Sequence, residues 1–206
     1  MRRLVFAGIL ALSAPAATMA QDWDGWYVGV EAGRASTSTF SYISMEEYPA
    51  TYRPTALVGG HLWSAGEGYL LGVEGEVGIL NMDSYVLPPG YSRFYNHRIY
   101  ASLSAKAGLP FDRFLPYATA GLQAMSVDAG ADYSFVPGGP IFQSTLRGFG
   151  VLPTASVGAE FLLTGNLSLK VEASHVFGSV LLEQDNGATS RFSPGTSVNV
   201  GMNFRF

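Results

Sequence analysis

Two glutamates form the most suggestive acid–base pair in the sequence. Glu74 and Glu76 are two residues apart in a segment rich in valine and glycine. Residues i and i+2 of a β-strand point to the same face, so these carboxyl groups could act as a general acid and a general base. Basic residues on facing strands would instead give the pair a structural role, and the sequence favours that role because such residues are present.

Histidines and a Ser-His dipeptide are the other candidates for chemistry. His61, His97 and His175 fall on three predicted strands and lack the paired spacing of metal ligands, so no metal site is predicted. Ser174 and His175 suggest a Ser-His-Glu lipid hydrolase, but adjacent strand residues point to opposite faces. The sequence therefore predicts no catalytic residue, no enzyme and no cofactor.

Segments of about ten residues with alternating hydrophobicity carry these residues. In one of them Ile99 and Leu103 share a face, whereas Arg98 and Lys106 share the other. Such repeated two-residue periodicity predicts β-strands with one apolar and one polar face. The predicted strands are 25–35, 55–63, 69–81, 97–109, 115–127, 149–162, 167–178 and 196–206.

The connections between these strands alternate in length. Those at 64–68, 110–113 and 163–166 are short turns, and the longer ones are 36–54, 82–96, 128–148 and 179–195. This pattern predicts an all-β fold, an eight-stranded antiparallel transmembrane β-barrel with short periplasmic turns and long extracellular loops. Pro153 predicts either a bulge in the sixth strand or a later start of that strand.

A soluble β-sandwich or lipocalin-type barrel would show the same alternation. Two features favour a membrane barrel instead. The polar faces hold many glycines and few lysines, and aromatic residues cluster near strand ends as in membrane-interface girdles. The aromatic residues in question are Trp23, Trp26, Trp63, Tyr69, Phe111, Phe114, Tyr117, Phe204 and Phe206.

Strand parity assigns nine charged residues to the barrel interior. Eight strands enclose a space just wide enough for side chains, and an isolated buried ion is costly, so these charges are expected to pair. We predict a structural lumen network that plugs the barrel. Its members are Glu31, Glu74, Glu76, Arg98, Lys106, Glu160, Lys170, Glu172 and Arg205.

The first twenty residues predict export. A basic start, the apolar run 4–12 and the small residues around Ala20 are typical of a signal peptide (1–20), which leaves a barrel domain at 21–206. Its removal takes two of twelve basic and none of sixteen acidic residues, giving a formal charge of −6. The sequence has no cysteine and no basic tract, which argues against disulfides and against nucleic acid as a partner.

The chain end and several internal motifs carry a family resemblance. The last strand alternates toward a terminal phenylalanine and resembles the signal read by the barrel-assembly machinery. With 25–29, 71–76, 111–117, 157–161 and 166–172, the chain resembles the small opacity-type "porin family" barrels of alphaproteobacterial type, related to the OmpA-like membrane domain. The assembly-signal residues are Val198, Val200, Met202, Phe204 and Phe206.

The resemblance implies a location in the cell outer membrane and a non-enzymatic role in membrane integrity or surface interaction. It implies contact with outer-membrane lipid and lipopolysaccharide, and peptidoglycan or a host surface as further partners. A small-solute porin is one alternative, and an adhesin or haem-binding surface protein acting through extracellular loops is another. The aromatic loop residues are Phe40, Tyr42, Tyr48, Tyr52, Tyr85, Tyr91, Phe94 and Tyr95.

Overall fold

Antiparallel β-strands make up nearly all of the described chain. The computed structural model describes residues 23–41, 46–66, 68–82, 91–133, 142–184, 187 and 189–206, so the predicted signal peptide lies outside it. Within these ranges no helix is long and apolar enough to cross a membrane. The strands are β1 (Gly25–Ser41), β2 (Glu46–Ser64), β3 (Leu70–Met82), β4 (Tyr91–Gly108), β5 (Phe114–Tyr133), β6 (Phe142–Leu162), β7 (Leu167–Val176), β8 (Val180–Gln184) and β9 (Thr189–Arg205).

The strands close into a barrel. Each strand from β1 to β6 pairs with the next one along the chain, and β9 returns to pair with β1. Both β7 and β8 lie between β6 and β9, so these two segments occupy a single strand position. The predicted eight-stranded antiparallel barrel is thereby confirmed.

The break between β7 and β8 lies beside a proline. Pro153 continues β6 without a bulge and pairs with Leu122, so the predicted irregularity in β6 itself is wrong. Its carbonyl accepts a hydrogen bond from the Phe177 amide at 2.9 Å. The backbone N and O atoms of a strand residue point toward the same neighbouring strand. The side of Pro153 that lacks an N–H group therefore faces Phe177, and the strand that contains Phe177 is interrupted from Val176 until Val180.

The strands are longer than predicted at the end opposite the short turns. β5 has 20 residues and β6 has 21, whereas about 9–11 residues suffice to cross a bilayer. Most of the predicted loops 36–54, 128–148 and 179–195 is therefore strand, and so are residues 82 and 91–96 of the predicted loop 82–96. The barrel extends well beyond one bilayer thickness on this side, which we call the loop end.

Strand register gives the barrel a fixed tilt. A row of paired residues followed once around the wall returns to β1 ten residues further along it. An offset of ten over eight strands corresponds to a tilt of about 40° from the barrel axis. The row runs through Trp26, His61, Val73, Ala105, Ala120, Ala155, His175, Thr196 and Ser36.

Apolar side chains lie on the outside of the barrel and charged ones on the inside. Leu57 and Leu103 are each 67% exposed, whereas Lys106 is 1% exposed and Glu160 is fully buried. A soluble barrel would show the reverse distribution, so this arrangement excludes the lipocalin-type alternative and suits a wall in contact with lipid.

The predicted aromatic girdle is only partly correct. Trp23 and Tyr117 are buried inside the barrel, because each continues the inward side of its strand end. The other predicted members are exposed on the wall near the short turns, which we call the turn end. They are Trp26, Trp63, Tyr69, Phe111, Phe114, Phe204 and Phe206.

Inward tyrosines lie over glycines on neighbouring strands. Tyr117 pairs with Gly158, and the same arrangement joins Tyr27 to Gly60 and Tyr100 to Gly78. A Cβ atom added at Gly158 would lie 2.5 Å from the Tyr117 hydroxyl oxygen and 2.6 Å from the Val171 carbonyl oxygen. These glycines therefore provide the space that the tyrosine rings occupy.

The substitution Gly158→Ala should destabilise the barrel because the Tyr117 ring and the adjacent backbone must both move. We expect the free energy of unfolding to fall by about 1–3 kcal/mol. Urea unfolding of the barrel in lipid vesicles, followed by tryptophan fluorescence, measures this change.

Gly75→Ala is the matched control, because Gly75 lies on the outer face and its added Cβ would approach no atom closer than 3.8 Å. We expect a change within about 0.5 kcal/mol for this variant. Equal unfolding curves for the two variants would contradict the packing role of Gly158.

Candidate functional site

The lumen is the candidate site, and apolar residues occupy its turn end. Trp23 donates a hydrogen bond from Nε1 to the Asp112 carbonyl at 3.1 Å. The guanidinium carbon of Arg205 lies over the Trp23 ring, 4.6 Å from the centroid of that ring. We call this set the turn-end layer. It consists of the buried residues Trp23, Tyr27, Val58, Leu62, Leu70, Leu115 and Leu162.

A chain of alternating charges lies next to this layer. The Lys106 ammonium is 2.8 Å from the carboxylate oxygens of both Glu74 and Glu160. The second Glu160 oxygen is 2.6 Å from the Arg205 guanidinium. Because Lys106 and Glu160 are on β4 and β6, which are not neighbours, the ion pair crosses the lumen.

Lys170 continues this series of ion pairs on the opposite wall of the barrel. Its ammonium lies 3.1 Å from Glu74, 3.0 Å from Glu31 and 3.3 Å from Glu172. Glu74 on β3 is thus held by two cations, Lys106 from β4 and Lys170 from β7. We call the eight residues Glu31, Glu74, Glu76, Lys106, Glu160, Lys170, Glu172 and Arg205 the lumen network.

Tyrosine hydroxyls supply further hydrogen bonds to these carboxylates. Tyr27 donates to Glu74 at 2.6 Å, Tyr117 donates to Glu172 at 2.8 Å, and Tyr100 donates to Glu76. None of these three tyrosines is among the residues predicted from the sequence to form the network. Strand parity was the available signal, since Tyr27 and Tyr100 share the faces of Glu31 and Arg98.

Arg98 lies in the lumen, as predicted, but outside the network to which the sequence analysis had assigned it. Its guanidinium carbon lies 4.1 Å from the Tyr52 ring centroid and 3.6 Å from that of Phe192, in a cation–π stack. Arg98 lies nearer the loop end on β4 than Lys106, too far along the strand to meet the same carboxylates. Five carboxylates in the network therefore face three cations instead of four.

Apolar side chains close the lumen again toward the loop end. Tyr52, predicted as a loop residue, is an inward residue of β2 and belongs to this layer, which we call the loop-end layer. It consists of Ala35, Tyr52, Ala56, Leu80, Tyr100, Met125, Val127, Leu152, Val180, Leu182 and Phe192. The side chains of the other predicted loop aromatics lie outside the described part of the chain.

A small polar cavity separates the network from the loop-end layer. Its volume is about 50 Å³, and hydroxyl groups such as those of Ser102, Ser104 and Ser174 line it together with Glu74 and Glu76. A space of this size holds a few water molecules at most. It is much smaller than the pockets that bind organic ligands.

The residues considered for catalysis are not arranged for it. Glu76 is bonded to Tyr100 and Ser102, and Glu74 is held by two lysines, so both carboxylates have structural partners. Ser174 bonds to Ser197 inside the barrel, whereas His175 lies on the outer wall.

The histidines are also held by other groups. The His175 Nδ1 atom is 2.8 Å from the Thr196 hydroxyl, and His61 packs between the rings of Trp26 and Trp63 on the outer wall. The His97 side chain lies outside the described residues. Within the described ranges, no group of three or more histidine, aspartate or glutamate side chains is arranged so that it could hold a metal ion.

Comparison with known proteins assigns the family. The sequence model of the family described as "Outer membrane protein beta-barrel domain" matches residues 4–206. Among curated proteins, none is significantly similar to this chain.

Several solved structures are similar to this chain at low sequence identity. Ail, the attachment invasion locus protein of Yersinia pestis, is 11% identical over 88% of this chain and 99% of that chain (TM-score 0.45). Neisserial surface protein A is 17% identical over 88% of this chain and 97% of that chain, with a TM-score of 0.44. A major outer membrane protein from Thermus thermophilus is 18% identical over 88% of this chain and 99% of that chain, with a TM-score of 0.49.

The finer assignment to opacity-type barrels of alphaproteobacterial type stays a prediction. The family match, in contrast, covers the whole described barrel from β1 to β9. The chain therefore belongs to the outer membrane protein β-barrel family, and it is a protein of the outer membrane.

Proposed function

We propose that the protein is a non-enzymatic structural barrel with a closed lumen, which supports outer-membrane integrity or surface interaction. The observation that carries this proposal is the ion-pair chain from Arg205 through Glu160, Lys106 and Glu74 to Lys170. It joins strands on opposite walls and occupies the bore between two apolar layers. A permeating ion would have to displace several buried charges and both layers.

Surface interaction is favoured by the length of the strands. Strands such as β6 hold about twice the residues needed to cross a bilayer, so the wall projects beyond the membrane at the loop end. Family members place this end outside the cell. An adhesive or haem-binding role through the loops remains an alternative, as does a small-solute porin.

Removing a central cation should destabilise the closed barrel strongly. In Lys106→Met the side chain stays unbranched and is one atom shorter, but Glu74 and Glu160 each lose an ion pair in a buried site. We expect the free energy of unfolding to fall by about 3–5 kcal/mol, the usual effect of breaking a buried pair. Urea unfolding in lipid vesicles measures the change.

Arg147→Met is the matched control, because the Arg147–Asp128 pair is 3.5 Å apart with side chains 79% and 58% exposed. Exposed pairs contribute about 0–1 kcal/mol, so this variant should unfold almost as the parent does. If Lys106→Met were equally harmless, the lumen network would not stabilise the barrel.

Conductance tests the closed lumen directly. The folded barrel, verified by its heat-dependent shift on an unboiled SDS gel, should give no single-channel steps in a planar bilayer. Barrels of this strand number have interiors filled by side chains, whereas open channels belong to barrels of about sixteen strands. Steady, reproducible steps would contradict the proposal and favour the porin alternative.

We also propose that the outward residues of β9, together with Phe206 directly after it, form the signal for the barrel-assembly machinery. Val198, Val200, Met202, Phe204 and Phe206 are all exposed on the wall, and the Phe206 amide donates to the Trp26 carbonyl at 3.1 Å. Phe206→Ala should reduce assembled barrel in the outer membrane of expressing cells several-fold. It should leave refolding in detergent unchanged, because the exposed ring contributes little to internal packing.

The amount of barrel that shifts on heating in an unboiled SDS gel measures both the assembly of this variant in the outer membrane and its refolding in detergent. Val157→Ala is the control, since Val157 is a similarly exposed wall residue outside the terminal strand. Loss of refolding in detergent would assign Phe206 a packing role, and equal assembly of both variants would contradict the signal.

A further inference from the structure

The interior of the barrel carries an excess of negative charge. Among the described residues, the five glutamates of the lumen network face its three cations, Lys106, Lys170 and Arg205, and one further cation, Arg98, nearer the loop end. Five negative charges against four positive ones leave one carboxylate uncompensated. Because an isolated ion is costly inside a protein, a further positive charge would stabilise this interior.

The uncompensated charge lies beside the small polar cavity. Glu74, Glu76 and Glu172 line this cavity, and none of its lining residues is basic. The Lys170 ammonium lies 3.1 Å from a Glu74 oxygen and 3.3 Å from a Glu172 oxygen. Glu76, in contrast, forms no ion pair within the described part of the chain, and its hydrogen bonds come from two hydroxyl groups. Its charge is therefore the one that the basic residues leave open.

Hydroxyl groups form much of the remaining polar lining. The hydroxyl oxygens of Ser174 and Ser197 lie 2.6 Å apart, and those of Thr119 and Ser156 lie 2.5 Å apart. A hydroxyl oxygen has two lone pairs, so two hydroxyls that share one hydrogen bond keep acceptor capacity for another partner. The cavity is therefore rich in the oxygen atoms that coordinate hard cations.

One buried oxygen of the lining has no hydrogen-bond partner among the described residues. It is the Oδ1 atom of Asn199, a residue of β9 that is only 5% exposed. The Nδ2 atom of the same amide lies 3.5 Å from the Ser197 hydroxyl oxygen. Because an unsatisfied buried acceptor is costly, this oxygen favours a ligand in the cavity.

We propose that the polar cavity binds one monovalent alkali cation that has shed most of its water. Glu76 supplies the charge, and the Asn199 Oδ1 atom and the hydroxyl groups supply neutral ligands. A volume of about 50 Å³ admits an ion with a few water molecules at most. One uncompensated negative charge suits a monovalent ion. A divalent ion such as Ca²⁺ takes several carboxylates, and no three described ones are arranged to hold it.

Replacing sodium by a bulky cation tests the site in the full chain, exported and purified from the outer membrane. Urea unfolding in lipid vesicles is followed while NaCl replaces choline chloride at constant total salt. Once sodium exceeds its dissociation constant, the folded-to-unfolded ratio should rise about tenfold for each tenfold increase in sodium, because the ion binds only the folded barrel. Equal stability in the two salts would overturn the site and assign the cavity to water or a proton.

Glu76→Gln should abolish this dependence on sodium, since it removes the charge and keeps the shape of the side chain. Glu183→Gln is the matched control, because it removes a carboxylate from an exposed position on β8. Its response to sodium should stay within about twofold of the parent response, because exposed charges contribute little. An equal loss in both variants would mean general salt screening and would overturn the site, as would an unchanged response of Glu76→Gln.

Asn199→Ala tests the same cavity without a change of charge, and it serves if Glu76→Gln does not refold. The sodium concentration that gives half of the stabilisation should rise several-fold, and an unchanged value would overturn the site. The inference adds a ligand to the closed lumen of the proposed function. A conducting barrel that still responds to sodium would contradict only the proposed function, whereas a silent barrel without the response would contradict only the cation site.

Discussion

Closure of the hydrogen-bonded wall is the constraint on which the rest of the structure depends. A backbone N–H or C=O group without a partner costs several kcal/mol in hydrocarbon, so a sheet in the membrane cannot keep a free edge. Pairing of β1 with β9 removes both edges. Eight strands with an offset of ten residues then fix the diameter, and that diameter leaves room inside only for side chains.

The narrow bore explains the chemistry of the lumen. Five carboxylates of the lumen network face three cations, and the hydroxyl groups of Tyr27, Tyr100 and Tyr117 donate hydrogen bonds to carboxylates of this network. A tyrosine ring is too large for this space unless the facing residue is small. The glycine opposite each ring, such as Gly158 opposite Tyr117, therefore belongs to the same arrangement as the charges.

Strand parity was enough to predict the fold and the face of each charged residue, because the two-residue period survives wherever one face contacts lipid. It failed beyond the membrane, where outward residues such as Ser36 are polar and the contrast between faces is lost. The strands were therefore predicted too short. Parity also could not predict which charged residues form ion pairs, since the Glu74–Lys170 pair across the bore depends on the offset between strands. Arg98 shows the same limit, because its height along β4 decides that its neighbours are the rings of Tyr52 and Phe192.

The strand offset also decides what the wall presents to lipid. A single row of paired residues starts at Trp26 near the turn end, passes once around the barrel and returns to β1 at Ser36 near the loop end. On β6 apolar outward residues continue as far as Phe149, whereas on β1 they give way at Arg34. The outer wall is therefore chemically uneven around its circumference. Since packing fixes the interior, the surface interaction that we propose would depend on that unevenness and on the projecting loop end.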